Sequence, residues 1–590
     1  MKFSHLEYLT IAFISFALVA PALFHGRLIG DGVDLYGTVW FHWWIADCVV
    51  HLRDPSFTDL FFYPYGKDIF AHTGNNFIDA ALAVPFFLLL GFPYYQPVFY
   101  GFILLLNGLA FRFLALQFPL APWARLGGTA LFILSPFCLS ELVMGRPTQS
   151  MMVFAPISLA AFIRLHNNPS YRYAIAAGVF AALQGWTYWF GGFFLGFCLI
   201  WIFIVKFDRN LLTHYFAAAL TCALLVLPAV FTMSQKATAG QVPGLQDVQE
   251  PFWSIPSVEG THVMSMLSGY QIPEQMGMPM LTYISWGVGL LCAIIWGRNR
   301  KLWLGMFIVC LIVATGPVFF WGAVELTNYP YIFLYRTIPL FSRLWFPYRM
   351  IGFALIALCL GFCFLLQRLH LYRATSVPYV IAAWLGLTAA EQSNYLTVPL
   401  YSQFVQQPEV YEVIEQNAGG LVEMPIGFVR SSIMWQTFHH QPTFGGMGEN
   451  VEHFVPPGHK LRRDHPLFGF LARVVHFPQR NLENIDQHLL FLKQQGFRYL
   501  VLDRAILEGE LRKKRTPVMK KIIEIEKVLI HYFGDPWAVD GPLVVWNFGE
   551  PISIPDKLLP TDDNLYNKTW ESTEFSEFEA LLYNQNRLPK

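Results

Sequence analysis

The chain has 590 residues, 55% of them apolar and only 14% charged, and its 40 basic and 40 acidic residues cancel. Forty-four of the charged residues lie from Leu396 onward, so the front two-thirds is ~9% charged and the rest ~23%, against about 25% for a globular enzyme. This excludes a soluble single domain, a disordered chain and a nucleic-acid binder with a basic face, and predicts a membrane domain over 1–395 followed by a soluble α/β domain over 396–590.

The first apolar run, about 9–24, reads as a signal anchor that stays on the chain. Ten further runs of membrane length follow, near 97–116, 123–140, 150–165, 173–187, 188–206, 211–233, 280–297, 302–321, 349–367 and 376–395. The predicted class is therefore mainly α, with about eleven spans. Basic residues bracket alternate short loops: Arg112 with Arg125, Arg164 with Arg172, Lys206 with Arg209, Arg298 with Lys301, and Arg368 with Arg373. Cytoplasmic loops behave this way. With those loops inside, the parity closes only if the apolar stretch 76–92 does not cross. The chain then sits in a bacterial inner membrane with a long first outer loop, 25–96, and with its C-terminal domain outside. In the tail, Gly420–Pro425, Phe497–Asp503 and Pro542–Phe548 have strand composition, and charged helical stretches fall near 483–495 and 508–533. All eight cysteines (Cys48, Cys138, Cys198, Cys222, Cys292, Cys310, Cys359 and Cys363) lie in the apolar part without a pairing pattern, so neither a disulfide framework nor a zinc site is expected.

The acids of the front part are clustered. Seven of its sixteen lie between Asp31 and Asp79. Asp31 and Asp34 follow the first span in Gly30-Asp31-Gly32-Val33-Asp34, where the glycines allow a sharp turn that brings two carboxylates together. Such a pair can act as a general base or hold a cation; the plainer alternative is a solvated turn. Trp40 to Trp44 open a segment with the composition of an interfacial helix, its tryptophans suited to an aromatic belt and His42 to a structural hydrogen bond. Tyr63 and Tyr65, in Tyr63-Pro64-Tyr65-Gly66, can stack on a sugar or an acyl chain, or simply pack. Glu141, Arg146 and Gln149 share a short outer loop, where an acid and an arginine either serve a ligand or neutralise each other. Arg336, Arg343 and Arg349 crowd another outer loop, where positive charge is disfavoured; guanidinium groups there suit a lipid phosphate, whether of a substrate or of a headgroup.

The whole pattern resembles the GT-C glycosyltransferases, integral membrane enzymes that use polyprenyl-phosphate sugars. The likeness rests on Gly30–Asp34, Tyr63–Gly66, Ser135-Pro136-Phe137 through Gly145, Phe341-Ser342-Arg343 through Arg349, Gln436–Pro442 and Gly496–Leu500. The sequence departs from relatives that glycosylate protein: it has Asp-Gly-Val-Asp in place of an adjacent Asp-Glu, and Trp43-Trp44 is followed by Ile45 rather than Asp. The resemblance implies inverting transfer to an acceptor on the outer face. Asp31 or Asp34 would take the acceptor proton, and Arg343 or Arg349 would hold the leaving phosphate. A divalent cation serves some members of this family and would fall to Asp31 and Asp34 here. The implied partners are a lipid-linked sugar donor, membrane lipid and an acceptor glycan, lipid or protein. A lipid-linked-sugar transporter or scaffold, and a polysaccharide polymerase or ligase, are the competing readings.

Overall fold

The computed structural model describes residues 3–30, 33–70, 77–238, 261–262, 283–295, 300–321, 324–338, 341, 347–392, 400, 402–403, 407–426, 431–446, 455–475, 477, 481–512, 518–561 and 564–565. The chain divides into two compact units: 1–31 with 74–404, and 32–73 with 405–590.

The first unit is mostly helical, and among the described residues the apolar runs of the sequence fall on helices or broken helices, except that the run 302–321 leaves its helix after Ala314 and ends in a strand, Val318–Trp321. Five helical stretches are long and apolar enough to cross a membrane: Tyr95–Ala115, Pro122–Val143, Pro147–Asn167, Arg209–Thr232 and Pro347–Arg373. Shorter apolar helices include His5–Ala17, Phe77–Leu90, Trp189–Val205 and Lys301–Ala314. With this many apolar helices the chain is a multi-pass membrane protein. The stretch Arg209–Thr232 is only 11% buried, which suits a helix facing lipid, whereas Pro122–Val143 is 89% buried and central.

Charge inside this unit is paired. Glu7, 1% exposed on the first helix, accepts hydrogen bonds from Arg112 Nε at 2.7 Å and Arg125 Nη2 at 2.9 Å. Two of the basic residues that mark inner loops in the sequence thus also fasten the first helix to its neighbours.

Where helices break, buried amides take up the freed backbone groups. Asn107, fully buried, donates to Ser150 O at 2.8 Å and accepts from Met152 N at 3.0 Å. Gln184 accepts from Ala155 N at 3.1 Å and donates to Met151 O at 3.3 Å. Asn328 donates to Ile312 O and Gly316 O and accepts from Tyr331 N. Apolar surroundings leave no water for these groups, so each missing partner would cost several kcal/mol, on the order of ~2–7.

The second unit is α/β. Its sheet runs β3-β4-β2-β1, with β1 (Gly420–Met424), β2 (Phe497–Asp503), β3 (Ala538–Asp540) and β4 (Leu543–Asn547). β1 and β2 pair in parallel, with Val422 opposite Leu500, and the remaining pairs are antiparallel. Alternation sends Val422, Met424, Leu500 and Leu502 into a core with Leu467, Phe468, Leu471, Ile522, Ile525 and Leu529. The three strands expected from composition are all present, and β3 is additional.

The aromatic helix Val33–His51 belongs to this unit. Its tryptophans are core residues, not a membrane belt: Trp40, Trp43 and Trp44 are 0%, 8% and 3% exposed. Trp40 stacks on Trp44 at 5.6 Å and donates its indole N–H to Gln436 Oε1 at 2.7 Å. Trp43 stacks on His440 at 5.2 Å. Gln436 lies on the helix Ser431–His439 and also donates to Leu60 O and Gln441 O. Apolar composition alone does not tell an interfacial helix from one packed in a soluble core; the partner helix decides.

His439, at the end of that helix, is fully buried, and its Nδ1 accepts from Gln441 N at 3.0 Å. Burial, with His440 beside it, pushes its pKa from 6.5 down to about 3. The unfolded chain takes up a proton near pH 6.5, while the folded unit resists it to about 3. The contribution is therefore complete above pH 6.5 and is lost as pH falls toward 3, by at most ~1.4 kcal/mol per pH unit. Thermal unfolding of the purified chain between pH 7 and pH 4 should lose less stability on acidification in His439→Gln than in wild type; an identical pH dependence in the two would contradict the assignment.

Candidate functional site

The loop 141–150 is shaped by its own sequence. Ser135 caps the helix Pro136–Val143 by accepting from Cys138 N, and Pro136 occupies the first turn. Gly145 ends it in the left-handed region, at φ +74°. Arg146 N then donates back to Glu141 O at 2.7 Å, and Pro147 starts the next turn.

Glu141 faces inward, 2% exposed. Its Oε1 accepts from Arg349 Nε at 3.2 Å, and Arg146 Nη1 stands 3.7 Å from its Oε2. Arg349, 5% exposed, also donates from Nη1 to the Tyr188 hydroxyl at 2.9 Å, with its guanidinium 5.6 Å from the Tyr188 ring centre. One carboxylate therefore carries two guanidinium groups in a buried cluster. The structure unites Glu141, Arg146 and Arg349, which lie in two separate segments about 200 residues apart in the sequence. Tyr188 carries no individual signal in the sequence.

Asp79 is a second buried acid beside the same loop. It is 1% exposed in the first turn of Phe77–Leu90, and Thr148 Oγ1 donates to its Oδ2 at 2.6 Å. Tyr100 lies within electrostatic reach of Asp79 and of Gln96. Sequence reasoning counted Asp79 among the clustered acids but gave it no role; an acid opening an otherwise apolar helix was the available signal.

The chain that leads into Asp31 is tightly held. Leu28 and Ile29 pair antiparallel with Gln403 and Ser402. Gln96 accepts from Ile29 N at 3.0 Å and donates to Ile29 O at 2.9 Å. Gly30 has φ +108°, and a Cβ there would lie 2.5 Å from the Val143 carbonyl oxygen. Only glycine fits that contact, which brings the residue before Asp31 onto the end of the Glu141 helix.

The other expected residues fall as follows. Asp31 and Arg343 lie outside the described residues. Asp34 is half-buried in the first turn of Val33–His51, in the second unit. Tyr63 and Tyr65 also belong to that unit. Tyr63 sets its ring edge-on to Phe497 at 5.4 Å, and Tyr65 carries the Arg462 guanidinium 5.0 Å from its ring centre. Gln149 is half-buried, and its N–H donates to Arg146 O at 3.2 Å. Arg336 is exposed in the last turn of Tyr329–Thr337. Among the described residues no three His, Cys, Asp or Glu side chains come together to hold a metal ion.

The buried ion pair yields a direct prediction. Glu141→Gln takes the carboxylate from both Arg146 and Arg349 and should cost about 3–5 kcal/mol, and adding Arg349→Met should cost less in that background than in wild type. Thermal unfolding of Glu141→Gln, Arg349→Met and the double variant reads this; single losses that simply add in the double variant would show that the two side chains are not coupled.

No protein-family model matches the sequence, and no curated protein matches it. Solved structures do. Arabinofuranosyltransferase AftD from Mycobacteria superposes with a TM-score of 0.54 at 15% identity, over 84% of this chain and 35% of AftD. The chain thus spans about a third of AftD's length. The oligosaccharyltransferase of Archaeoglobus fulgidus in its apo form matches at 0.51 and 12% identity, over 88% of this chain and 71% of that one. ArnT from Cupriavidus metallidurans in the apo state covers 93% of this chain and 97% of its own at 13% identity, with a TM-score of 0.48. At these identities the likeness shows the fold alone, which this chain shares with AftD and with the archaeal oligosaccharyltransferase.

Proposed function

We propose that this chain transfers a sugar from a polyprenyl-phosphate donor to an acceptor on the outer face of a bacterial inner membrane. The observation that carries the proposal is the buried Glu141–Arg146–Arg349 cluster, set in a GT-C fold and in contact, through Val143, with the glycine that precedes Asp31. In this reading the second unit lies outside the membrane. Phe77–Leu90 is read as not crossing, because the parity of the basic loops closes only then.

Asp31 takes the proton from the acceptor hydroxyl, with Asp34 as the alternative base. The oxygen attacks the anomeric carbon, the bond to the lipid phosphate breaks, and the phosphate leaves with the electron pair, inverting the configuration. General-base assistance is worth about 10²–10⁴ in rate. Arg349 is engaged by Glu141 and Tyr188 and acts as a brace. Arg146, at 3.7 Å from Glu141, brings the second positive charge to that carboxylate, and with Arg343 it meets the donor phosphate. A divalent cation, where one is used, falls to Asp31 and Asp34, and no step here depends on it.

The test is transfer or hydrolysis of a panel of polyprenyl-phosphate pentoses and hexoses by the purified full chain in nanodiscs. Turnover that is lost in Asp31→Asn, or in Asp34→Asn if the alternative base operates, is the expected result. Failure of wild type to turn over any member of the panel would overturn the proposal, as would full activity in both variants. Arg343→Lys keeps the charge but loses the bidentate fork, and donor affinity should fall about tenfold or more. Wild-type affinity in Arg343→Lys and in Arg343→Ala would remove Arg343 from the site.

A further inference from the structure

We infer that Gln96 is the positioning residue for the general base, acting through the backbone of Ile29. This rests on the reading that Asp31 takes part in transfer. Gln96 opens a helix, Tyr95–Ala115, that is apolar enough to cross a membrane, yet its amide is fully buried. A buried amide is costly unless both of its ends are matched. Both ends are matched here, and by a single residue: Ile29 N donates to Oε1 at 3.0 Å, and Nε2 donates to Ile29 O at 2.9 Å.

Two bonds to one residue fix orientation as well as distance. In an extended chain the N–H and C=O of one residue point to the same edge, so Gln96 occupies one edge of Ile29. The short ladder with Ser402 and Gln403 holds the other. The next residue, Gly30, is seated on the Val143 carbonyl with no room for a side chain. Ile29 and Gly30 are thus held from three directions, and Asp31 is the first residue beyond them. The clamp caps no helix: it restrains a two-residue extended piece, and the proposed base follows it. A base must be held within a fraction of an ångström of its acceptor, and a displacement of about 1 Å can cost a hundredfold in rate.

Two variants of the full-length chain test this, using the panel member that wild type turns over fastest. Gln96→Leu should lower kcat about tenfold or more, leave the donor KM within about twofold, and speed backbone amide exchange in the peptide covering 28–31. Gln96→Glu is the conservative rescue: a neutral carboxyl can accept from Ile29 N and donate to Ile29 O as the amide does, and a carboxylate cannot. Its kcat should approach wild type at low pH and fall as the new carboxyl ionises, adding a limb that the wild-type pH profile lacks. If Gln96→Leu fails to fold, that limb alone decides the matter. Inactive Asp31→Asn alongside Gln96 variants of wild-type kcat and pH profile would overturn the inference while leaving the transferase reading intact. Fully active Asp31→Asn would overturn the role of Asp31, and this inference with it.

Discussion

Backbone that leaves helical geometry inside an apolar domain has to find its hydrogen bonds within the protein. The first unit meets this constraint with side-chain amides. Asn107 and Gln184 close the break at 150–155, Asn328 closes the one at 312–316, and Gln96 closes the extended piece at Ile29. These are the places where the chain turns aside to form loops, and the loops carry the candidate site. The site's geometry is therefore set from below, by residues that need not touch a substrate.

Charge obeys the same rule. Two buried carboxylates, Glu7 and Glu141, each lie within reach of two guanidinium groups. Arg125 and Glu141 stand near opposite ends of the stretch Pro122–Val143, so the two ion clusters bracket one central span. Between them that span is apolar. Polar groups that gather at the ends of spans suit chemistry at a membrane face better than a carrier, which would need them along a path through the interior.

Much of the fold was legible in the sequence because its signal is local. Apolar runs of sufficient length pointed to helices of the first unit, and strand composition pointed to β1, β2 and β4. The Glu141–Arg146 loop was also visible, as an acid and an arginine isolated between two spans. Less visible was what depends on a distant partner. Trp40, Trp43 and Trp44 have the composition of a belt, but their place was decided by Gln436 and His440, almost 400 residues away. Arg349 looked like a phosphate ligand because it breaks the charge rule for outer loops; Glu141, 208 residues earlier, supplies the compensation that this anomaly called for. Gln96 and Asn107 are single polar residues in apolar runs, and nothing local separates such a residue from an incidental one. Their role appears only when the backbone groups they satisfy are known.

The central claim is that the cluster around Glu141 receives a lipid phosphate. It is tested most directly by comparing the affinity of the purified chain for a polyprenyl phosphate with its affinity for the matching polyprenol, in wild type and in Arg146→Gln. The account predicts that wild type prefers the phosphate by about tenfold or more and that Arg146→Gln loses most of that preference while still binding the alcohol. Equal affinity of wild type for phosphate and alcohol, or a preference untouched by Arg146→Gln, would contradict it.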